Sequence, residues 1–438
     1  MGIPSYFSYI IKNYSNIIRN LVALKQDGTP FHHLFMDCNS IIYDVVKQME
    51  EEGICLSSTR EHEHYIIQQT IEKIVEYIET IRPTHTLYIA FDGVAPFAKM
   101  EQQRIRRNKG VFLSKTEPLV QSYGEDVAVR TSLKWSTSNI TPGTAFMQTL
   151  SEQVSDYFSN TFLPACSTLD VHVSASNEPG EGEHKMFQYM REHPFGSEEN
   201  VVVYGLDSDL IMLSIFHCNA QKSVPVCKNI YIFRETPAFI GSLVDISILD
   251  PRATYYVMDI GCLARSILTE MQCTYVDTHR IYDYVFLCFF LGNDFLPHFP
   301  ALNIRTNGFA ILLSTYRKCI GDYANRFFIS PIMQIQWKWV RLFVQELAKH
   351  EHDYLIAEYD LREKWDTKRW QCSTAKDRSF LFQSIPVLYR QEEMYICPRE
   401  KHWELRYYQS LFTDHETVAG NISSKICVHY LEGLEWTF

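Results

Sequence analysis

Three short apolar runs in this chain each end at an aspartate. Residues 31–36 run into Asp37, residues 86–91 into Asp92, and residues 201–206 into Asp207. Runs of this length, rich in Val, Ile, Leu, Phe and Tyr, predict buried strands. Between them the pattern changes: Ile67, Ile71, Ile74, Val75 and Ile78 recur with a helical period. Strands alternating with helices predict an α/β fold, with a mainly parallel twisted sheet flanked by helices. In such sheets ligands bind beyond the carboxyl ends of the strands. A single aspartate after a strand commonly caps a helix. Three of them predict three carboxylates delivered to one rim.

More acids join them. The segment PGEGEHK at residues 179–185 sets Glu181 and Glu183 two apart beside glycines, with helix-like sequence following. YGLDSDL at residues 204–210 repeats that spacing with Asp207 and Asp209, and LGNDF at residues 291–295 adds Asp294. An i, i+2 pair in extended or turn backbone can point to one side. An isolated acidic pair is ordinarily a solvated surface feature. Asp37, Asp92, Glu181, Glu183, Asp207, Asp209 and Asp294 together are harder to read that way. Converging carboxylates raise each other's pKa, and hard divalent cations resolve the conflict. All-oxygen ligands favour Mg²⁺, Mn²⁺ or Ca²⁺ over zinc. The chemistry that needs two such ions is in-line displacement at phosphorus, one ion activating water and the other stabilising the leaving oxygen.

A basic stretch follows Asp92. Residues 96–109, PFAKMEQQRIRRNK, hold Lys99, Arg104, Arg106, Arg107 and Lys109 against one acid, Glu101. On a helix, Lys99, Gln103, Arg106 and Arg107 share a face. Guanidinium forks and an ammonium on one face suit a terminal phosphate; a solvated charged helix is the plainer reading of these residues alone. The chain as a whole is acidic, with 41 Lys and Arg against 52 Asp and Glu and a net charge of −11. It is no generic polycation, so nucleic-acid binding has to use a local basic surface.

Other candidates carry less. Glu61-His-Glu-His64 and His32-His33 look metal-like in composition, but nothing completes a zinc set, and both read as structural or solvated. His184 receives no chemistry here. Asn39, two residues after Asp37, reads as a helix N-cap or as support for a ligand. The 12 cysteines contain no C-x-x-C spacing and read as reduced thiols of an intracellular protein. No signal peptide is evident, and Tyr6 stands where a myristoylation signal expects Ser or Thr. The apolar run at residues 284–291 is far short of a membrane span. Beyond residue 316 the motifs thin out. Residues 337–347 predict an amphipathic helix, residues 358–368 a charged exposed stretch, and residues 373–399, with Pro386 and Pro398, irregular structure. An aromatic-rich segment fills residues 402–438.

At this point the motifs fit together. MGIPSYF, FMDCNSIIY, LYIAFDGVAPFAKMEQQRIRR, ITPGTAFM, PGEGEHK, YGLDSDLIML and LGNDFLPHFP, in this order, resemble the Xrn-type 5′→3′ exoribonucleases. The resemblance is strong over residues 1 to about 315 and weaker over residues 403–436, where WELRYYQSLF and YLEGLEW look like the family's second conserved region. It implies a nuclease core of the PIN and flap-endonuclease kind over residues 1–318, and a mostly helical C-terminal region over residues 319–438. It implies a compact member that degrades single-stranded RNA from a 5′-monophosphate, one nucleotide at a time. By motif position Asp37, Asp92, Glu181, Glu183, Asp207, Asp209 and Asp294 hold two Mg²⁺ or Mn²⁺ ions. Lys99, Gln103, Arg106 and Arg107 hold the 5′-phosphate. RNA-decay proteins are the expected partners, no membrane is involved, and the cytoplasm is favoured over the nucleus.

Two departures stand out. Tyr43 occupies the place of a histidine that stacks on the first base, and an aromatic there can still stack, for about 1–3 kcal/mol per base. The chain ends at Phe438, before the segment whose tryptophan completes the family's stacking clamp. Two other functions compete: a structure-specific DNA flap endonuclease on the same core, and a weakly active RNA-binding scaffold. The DGVAP and GEGEHK blocks favour the exoribonuclease over the first, and the seven carboxylates over the second.

Overall fold

The computed structural model describes residues 2–3, 5–121, 135–164, 166–219, 227–236, 255–366, 372–411 and 422–438. The chain forms two compact units. The first comprises Met1–Met100, Ser132–Glu270 and Asp277–Ile281, and the second Glu101–Thr131, Met271–Val276 and Tyr282–Phe438.

The first unit is built on a seven-stranded sheet. Its strands are β1 (Ile18–Asn20), β2 (His33–Asp37), β3 (Thr86–Ala90), β4 (Asp170–Ser174), β5 (Asn200–Tyr204), β6 (Asn229–Glu235) and β7 (Tyr255–Asp259). They lie in the order β1-β7-β6-β5-β2-β3-β4. The five central strands β6, β5, β2, β3 and β4 pair in parallel, while β7 and β1 add antiparallel strands at one edge. Every residue of β2, β3 and β5 is buried. That is the mark of parallel strands covered on both faces, and it is why they read as unbroken apolar runs.

The connections explain where the site sits. From β2 the chain moves outward to β3 and β4, then returns to β5 on the other side of β2 and continues to β6. The order therefore reverses between β2 and β5, which makes their carboxyl ends a topological switch point. Register aligns those ends: Asp37 of β2 lies opposite Ala90 of β3, and Met36 opposite Tyr204 of β5.

Helices α1 (Tyr6–Asn13), α2 (Leu21–Gln26), α3 (Asn39–Glu51), α4 (Thr59–Ile81), α5 (Phe97–Gln121), α6 (Ala145–Asp156), α7 (Gly182–Glu192) and α8 (Asp209–Asn219) follow in chain order. Helix α4 extends the periodic segment back to a defined start. Ser58 accepts from Glu61 N through its side chain, and the Glu61 carboxylate takes Ser57 N and Oγ in return. Its Ile66, Ile67, Thr70, Ile74, Tyr77, Ile78 and Ile81 are buried, three and four residues apart as a core-facing stripe requires. The isoleucines and Tyr77 join a core with Leu34 and Met36 of β2 and Leu87 and Ile89 of β3.

The second unit is mostly helical over its described residues, with Arg280–Phe289 entering it and Gly308–Tyr316, Trp337–Ala348, Glu351–Asp366, Ala375–Tyr389, Gln391–Ile396, Trp403–Leu411 and Ile422–Thr437 following. Two expectations need correction. Residues 373–399 are mostly helix, because Thr374 and Asp377 form a reciprocal capping box that starts Ala375–Tyr389. The charged stretch from residue 358 is not uniformly exposed. Glu358 is buried, and its carboxylate accepts from Thr306 Oγ1 and faces Arg362. Residues 367 and 368 of that stretch lie outside the described residues. Asp283 is also buried, accepting from Tyr316 Oη at 2.5 Å, Phe328 N at 3.0 Å and Ile329 N at 2.8 Å.

Candidate active site

The first acid, Asp37, is the last residue of β2 and is buried. Its Oδ1 has no hydrogen-bond partner among the described residues. Asp92 follows β3 by two residues and is held on both oxygens. Asn39 Nδ2 donates to Oδ2 at 2.7 Å and Gly182 N donates to Oδ1 at 2.8 Å. Asp92 N in turn donates to Asn39 Oδ1 at 3.0 Å, so Asn39 fixes the aspartate from two directions. Asn39 is therefore a support for a site carboxylate and not the cap of α3, whose N-cap is Cys38.

The loop after β3 is zipped to the loop before α7. Gly93 N donates to Gly180 O at 2.8 Å, and Gly180 N to Val94 O at 3.0 Å. A Cβ on Gly93 would lie 1.7 Å from Glu178 O, so only glycine permits this approach. Glu181 is the N-cap of α7 and Glu183 sits in its first turn, both buried. Between them, a Cβ on Gly182 would stand 2.6 Å from Asp37 Oδ1. The glycine thus leaves the space into which the unpaired oxygen points.

Asp207 and Asp209 lie in the turn from β5 to α8; Asp207 is exposed and Asp209, the first residue of α8, is buried. Arg234 of β6 holds this turn from behind. Its Nη2 donates to Leu206 O, and its guanidinium lies over the Phe7 ring, 4.0 Å from the centroid.

The electrostatics tie these carboxylates together. Burial pushes Asp37 well above the usual carboxylate range, and Asp92, Glu183 and Asp207 add to the rise. Asp92 is pushed up to about 6 by desolvation and by Glu183 and Glu181, against the Gly182 amide and Lys99. Asp207 keeps solvent access, yet the protein around it displaces enough water to raise its carboxyl, with Glu183 contributing and Lys99 opposing. Metal-free, the group is an unresolved crowd of like charges. Unpaired buried oxygens on Asp37 and Glu181, a cavity kept by glycine, and an almost wholly carboxylate donor set fit a hard divalent cation. Glu181, Glu183 and His184 offer ligand atoms all within 4.8 Å of one another.

Lys99, on α5, does not stand apart from the acids. Its Nζ lies 2.5 Å from Glu181 Oε1 in a pair that is largely buried. The other expected phosphate partners belong to the second unit. Gln103 is half-buried, Arg106 and Arg107 are exposed, and Arg107 Nε donates to Gln103 O at 3.3 Å. Asp294 also belongs to the second unit, half-buried, where Gln102 Nε2 donates to its Oδ1 at 2.9 Å. Tyr43 lies on α3, one turn beyond Asn39, and is 41% exposed, so its ring is open to solvent.

Two supporting residues escaped the sequence reading. Lys185 is buried on α7 and bridges two strand ends, donating to Phe91 O at 2.9 Å and Ala175 O at 2.8 Å. Burial lowers its pKa. Arg234 showed itself only as a lone charge inside a strand-like run. Of the two histidine pairs, His62 Nδ1 contacts Ser58 O at 2.8 Å and His33 Nε2 contacts Glu199 Oε2 at 3.1 Å, while His64 is exposed. All twelve cysteines are free thiols. Among the described residues no helix is long and apolar enough to cross a membrane.

Comparison with known proteins agrees with this arrangement. A family profile for the XRN 5′-3′ exonuclease N-terminus matches residues 1–234, and one for the Xrn1 helical domain matches residues 275–390. A 5′-3′ exoribonuclease 1 from Schizosaccharomyces pombe is 30% identical over 381 residues, covering 82% of this chain and 27% of the relative. A 5′-3′ exoribonuclease 1 from Saccharomyces cerevisiae is 28% identical, covering 73% of this chain and 21% of the relative. A 5′-3′ exoribonuclease 2 from Arabidopsis thaliana is 26% identical, covering 80% of this chain and 40% of the relative. The chain thus spans well under half the length of each of these three relatives.

Proposed function

The chain belongs to the XRN 5′-3′ exonuclease family, and from that premise we propose that it is a metal-dependent 5′→3′ exoribonuclease. Its substrate is single-stranded RNA bearing a 5′-monophosphate, which it hydrolyses to mononucleotides. The observation that carries the reading is the convergence of buried Asp37, Glu181 and Glu183 with Asp92 and the more open Asp207 at the switch point of the sheet, where burial and the neighbouring acids raise the carboxyls of Asp37, Asp92 and Asp207. With Asp209 beside Asp207, these residues would hold the cations. Two bound Mg²⁺ or Mn²⁺ ions supply an activated water and stabilisation of the leaving oxygen.

The protein's own part is placement. Asn39 and the Gly182 amide fix the Asp92 carboxylate, Arg234 holds the turn that carries Asp207, and Lys185 ties the ends of the strands beneath them. Such pre-organisation removes the cost of arranging charge during the reaction. Residues in the second unit take their roles from the resemblance: Asp294 as a further metal ligand, and Gln103, Arg106 and Arg107, with Lys99, as partners of the terminal phosphate. Groups of that chemistry favour a monophosphate. A 5′-hydroxyl lacks the charge, and a triphosphate or cap adds bulk. Tyr43 is assigned to stack on the first base. The same reading places the protein in the cytoplasm beside RNA-decay proteins.

The test is purified protein with 3′-labelled, 5′-monophosphorylated single-stranded RNA, in Mg²⁺, in Mn²⁺ and in excess chelator, with flapped DNA in parallel. Shortening of the RNA in either metal, abolished by chelator, is the expected result. Intact RNA in both metals overturns the reading, and faster internal cutting of the flapped DNA assigns the core to flap cleavage instead.

A further inference from the structure

We propose that His184 is a metal ligand, completing with Glu181 and Glu183 one cation position that prefers Mn²⁺ to Mg²⁺. The inference rests on the nuclease reading for the presence of a cation and adds to it a nitrogen donor.

The geometry is local and specific. His184 stands three residues after Glu181 at the start of α7, a spacing that sets the two side by side, and Glu183 precedes it directly. His184 Nδ1 lies 3.8 Å from Glu181 Oε2 and 4.0 Å from Glu183 Oε1. Ligand atoms on one small cation at about 2.0–2.2 Å sit roughly 3 Å apart. Each contact therefore needs to close by about an ångström or less, within reach of side-chain rotation.

A second observation points the same way. Glu181 is only 4% exposed, and its two oxygens are used differently. Oε1 faces Lys99 Nζ at 2.5 Å, whereas Oε2 has no hydrogen-bond partner among the described residues. His184 Nδ1 is likewise buried and without a hydrogen-bond partner there. Two buried polar atoms facing each other without a hydrogen bond cost free energy unless something lies between them. A cation accepted by both satisfies both. The His184 side chain is 42% exposed, so the position opens to solvent for entry.

The identity of the third donor sets selectivity. Mg²⁺ takes oxygen ligands in near-ideal octahedral geometry, while imidazole donates better to transition metals. An otherwise carboxylate pocket with one imidazole therefore still accepts Mg²⁺ but gains affinity for Mn²⁺.

The test uses the full chain loaded with Mn²⁺. Electron spin-echo modulation detects a ¹⁴N nucleus bound to Mn²⁺, and calorimetry gives Mn²⁺ and Mg²⁺ dissociation constants without RNA. The wild type is expected to show nitrogen coupling that His184→Ala removes. The ratio of Mg²⁺ to Mn²⁺ dissociation constants is expected to fall by at least about tenfold in His184→Ala, because Mn²⁺ binding weakens far more than Mg²⁺ binding. Circular dichroism confirms the fold, and His184→Gln, which keeps a polar side chain, provides a second variant. An unchanged Mn²⁺ spectrum and an unchanged ratio in folded variants overturn the assignment. Nitrogen coupling in a protein that leaves RNA intact overturns the nuclease reading alone. RNA shortening without His184-dependent coupling overturns the ligand assignment alone.

Discussion

Lys99 Nζ lies 2.5 Å from Glu181 Oε1, so the cation expected to hold a terminal phosphate is paired, in the protein alone, with a member of the acidic group. A metal ion and Lys99 then compete for one carboxylate, and phosphate and Glu181 compete for one ammonium. Such sharing couples the two ligands reciprocally.

Lys99→Met separates the two effects. Removing the ammonium is expected to tighten Mn²⁺ binding by roughly fivefold or more, while raising KM for 5′-monophosphorylated RNA by a similar factor. Calorimetry and steady-state kinetics measure the pair. Weakened Mn²⁺ binding in this variant contradicts the account.

Asn39 touches Asp92 at both its side chain and its amide. Asn39→Ala is expected to weaken Mn²⁺ binding by about 10- to 100-fold, the usual consequence of losing the partner that orients a ligand. Thermal unfolding should show only a modest loss of stability. A variant with unchanged Mn²⁺ affinity removes Asn39 from the site.

Asp209 is buried at the start of α8. Asp209→Asn keeps the shape and removes the charge. Its expected effect is a fall in kcat of at least about a hundredfold, roughly 2.7 kcal/mol of barrier, with the melting temperature retained. Single-turnover cleavage at saturating metal measures it, and unimpaired cleavage excludes Asp209 as a ligand.

The metal-free site has a pH signature. Asp92 titrates near 6 instead of 3.8, and Asp37 is also raised. Between the unfolded and folded values the folded state binds more protons, so these groups withdraw stability as pH rises through that window. Asp37→Asn is therefore expected to raise the metal-free melting temperature at pH 7.5, with a smaller gain near pH 4. Each kcal/mol relieved is worth about 2–4 °C. Protons also compete with cations, so Mn²⁺ affinity in the wild type should fall as pH drops below about 6. Melting curves and calorimetry across pH check both trends. Lower stability of Asp37→Asn at pH 7.5 contradicts the electrostatic picture.

The strands that deliver Asp37, Asp92 and Asp207 were legible because parallel strands buried on both faces leave unbroken apolar runs. The carboxylates were legible for the same reason, since each sits where such a run stops. The partners were less visible. Asn39 and Asp92 are 53 residues apart, and nothing local to either announces the other. Helical spacing placed Lys99 on a face of α5 but could not show which acid approaches that face. Lys185 carries no role in the sequence reading, because its bonds to the carbonyls of Phe91 and Ala175 join segments far from or merely adjacent to it in the chain and appear only in three dimensions. Pro386 and Pro398 suggested irregular structure over residues 373–399, where a capping box starts a helix instead. The antiparallel edge of β7 and β1 depends on long-range pairing that short, ordinary strand sequences do not specify.

The central claim is that acidic and basic groups together select and cut a 5′-monophosphate end. The most direct measurement compares three 3′-labelled RNAs, identical except for a 5′-monophosphate, a 5′-hydroxyl or a 5′-triphosphate, with the wild type and Arg107→Ala in Mn²⁺. Rapid loss of only the monophosphate RNA by the wild type, without internal cuts, and loss of that preference in Arg107→Ala is the expected result. Equal degradation of all three ends by the wild type, or internal cleavage of any of them, contradicts the claim.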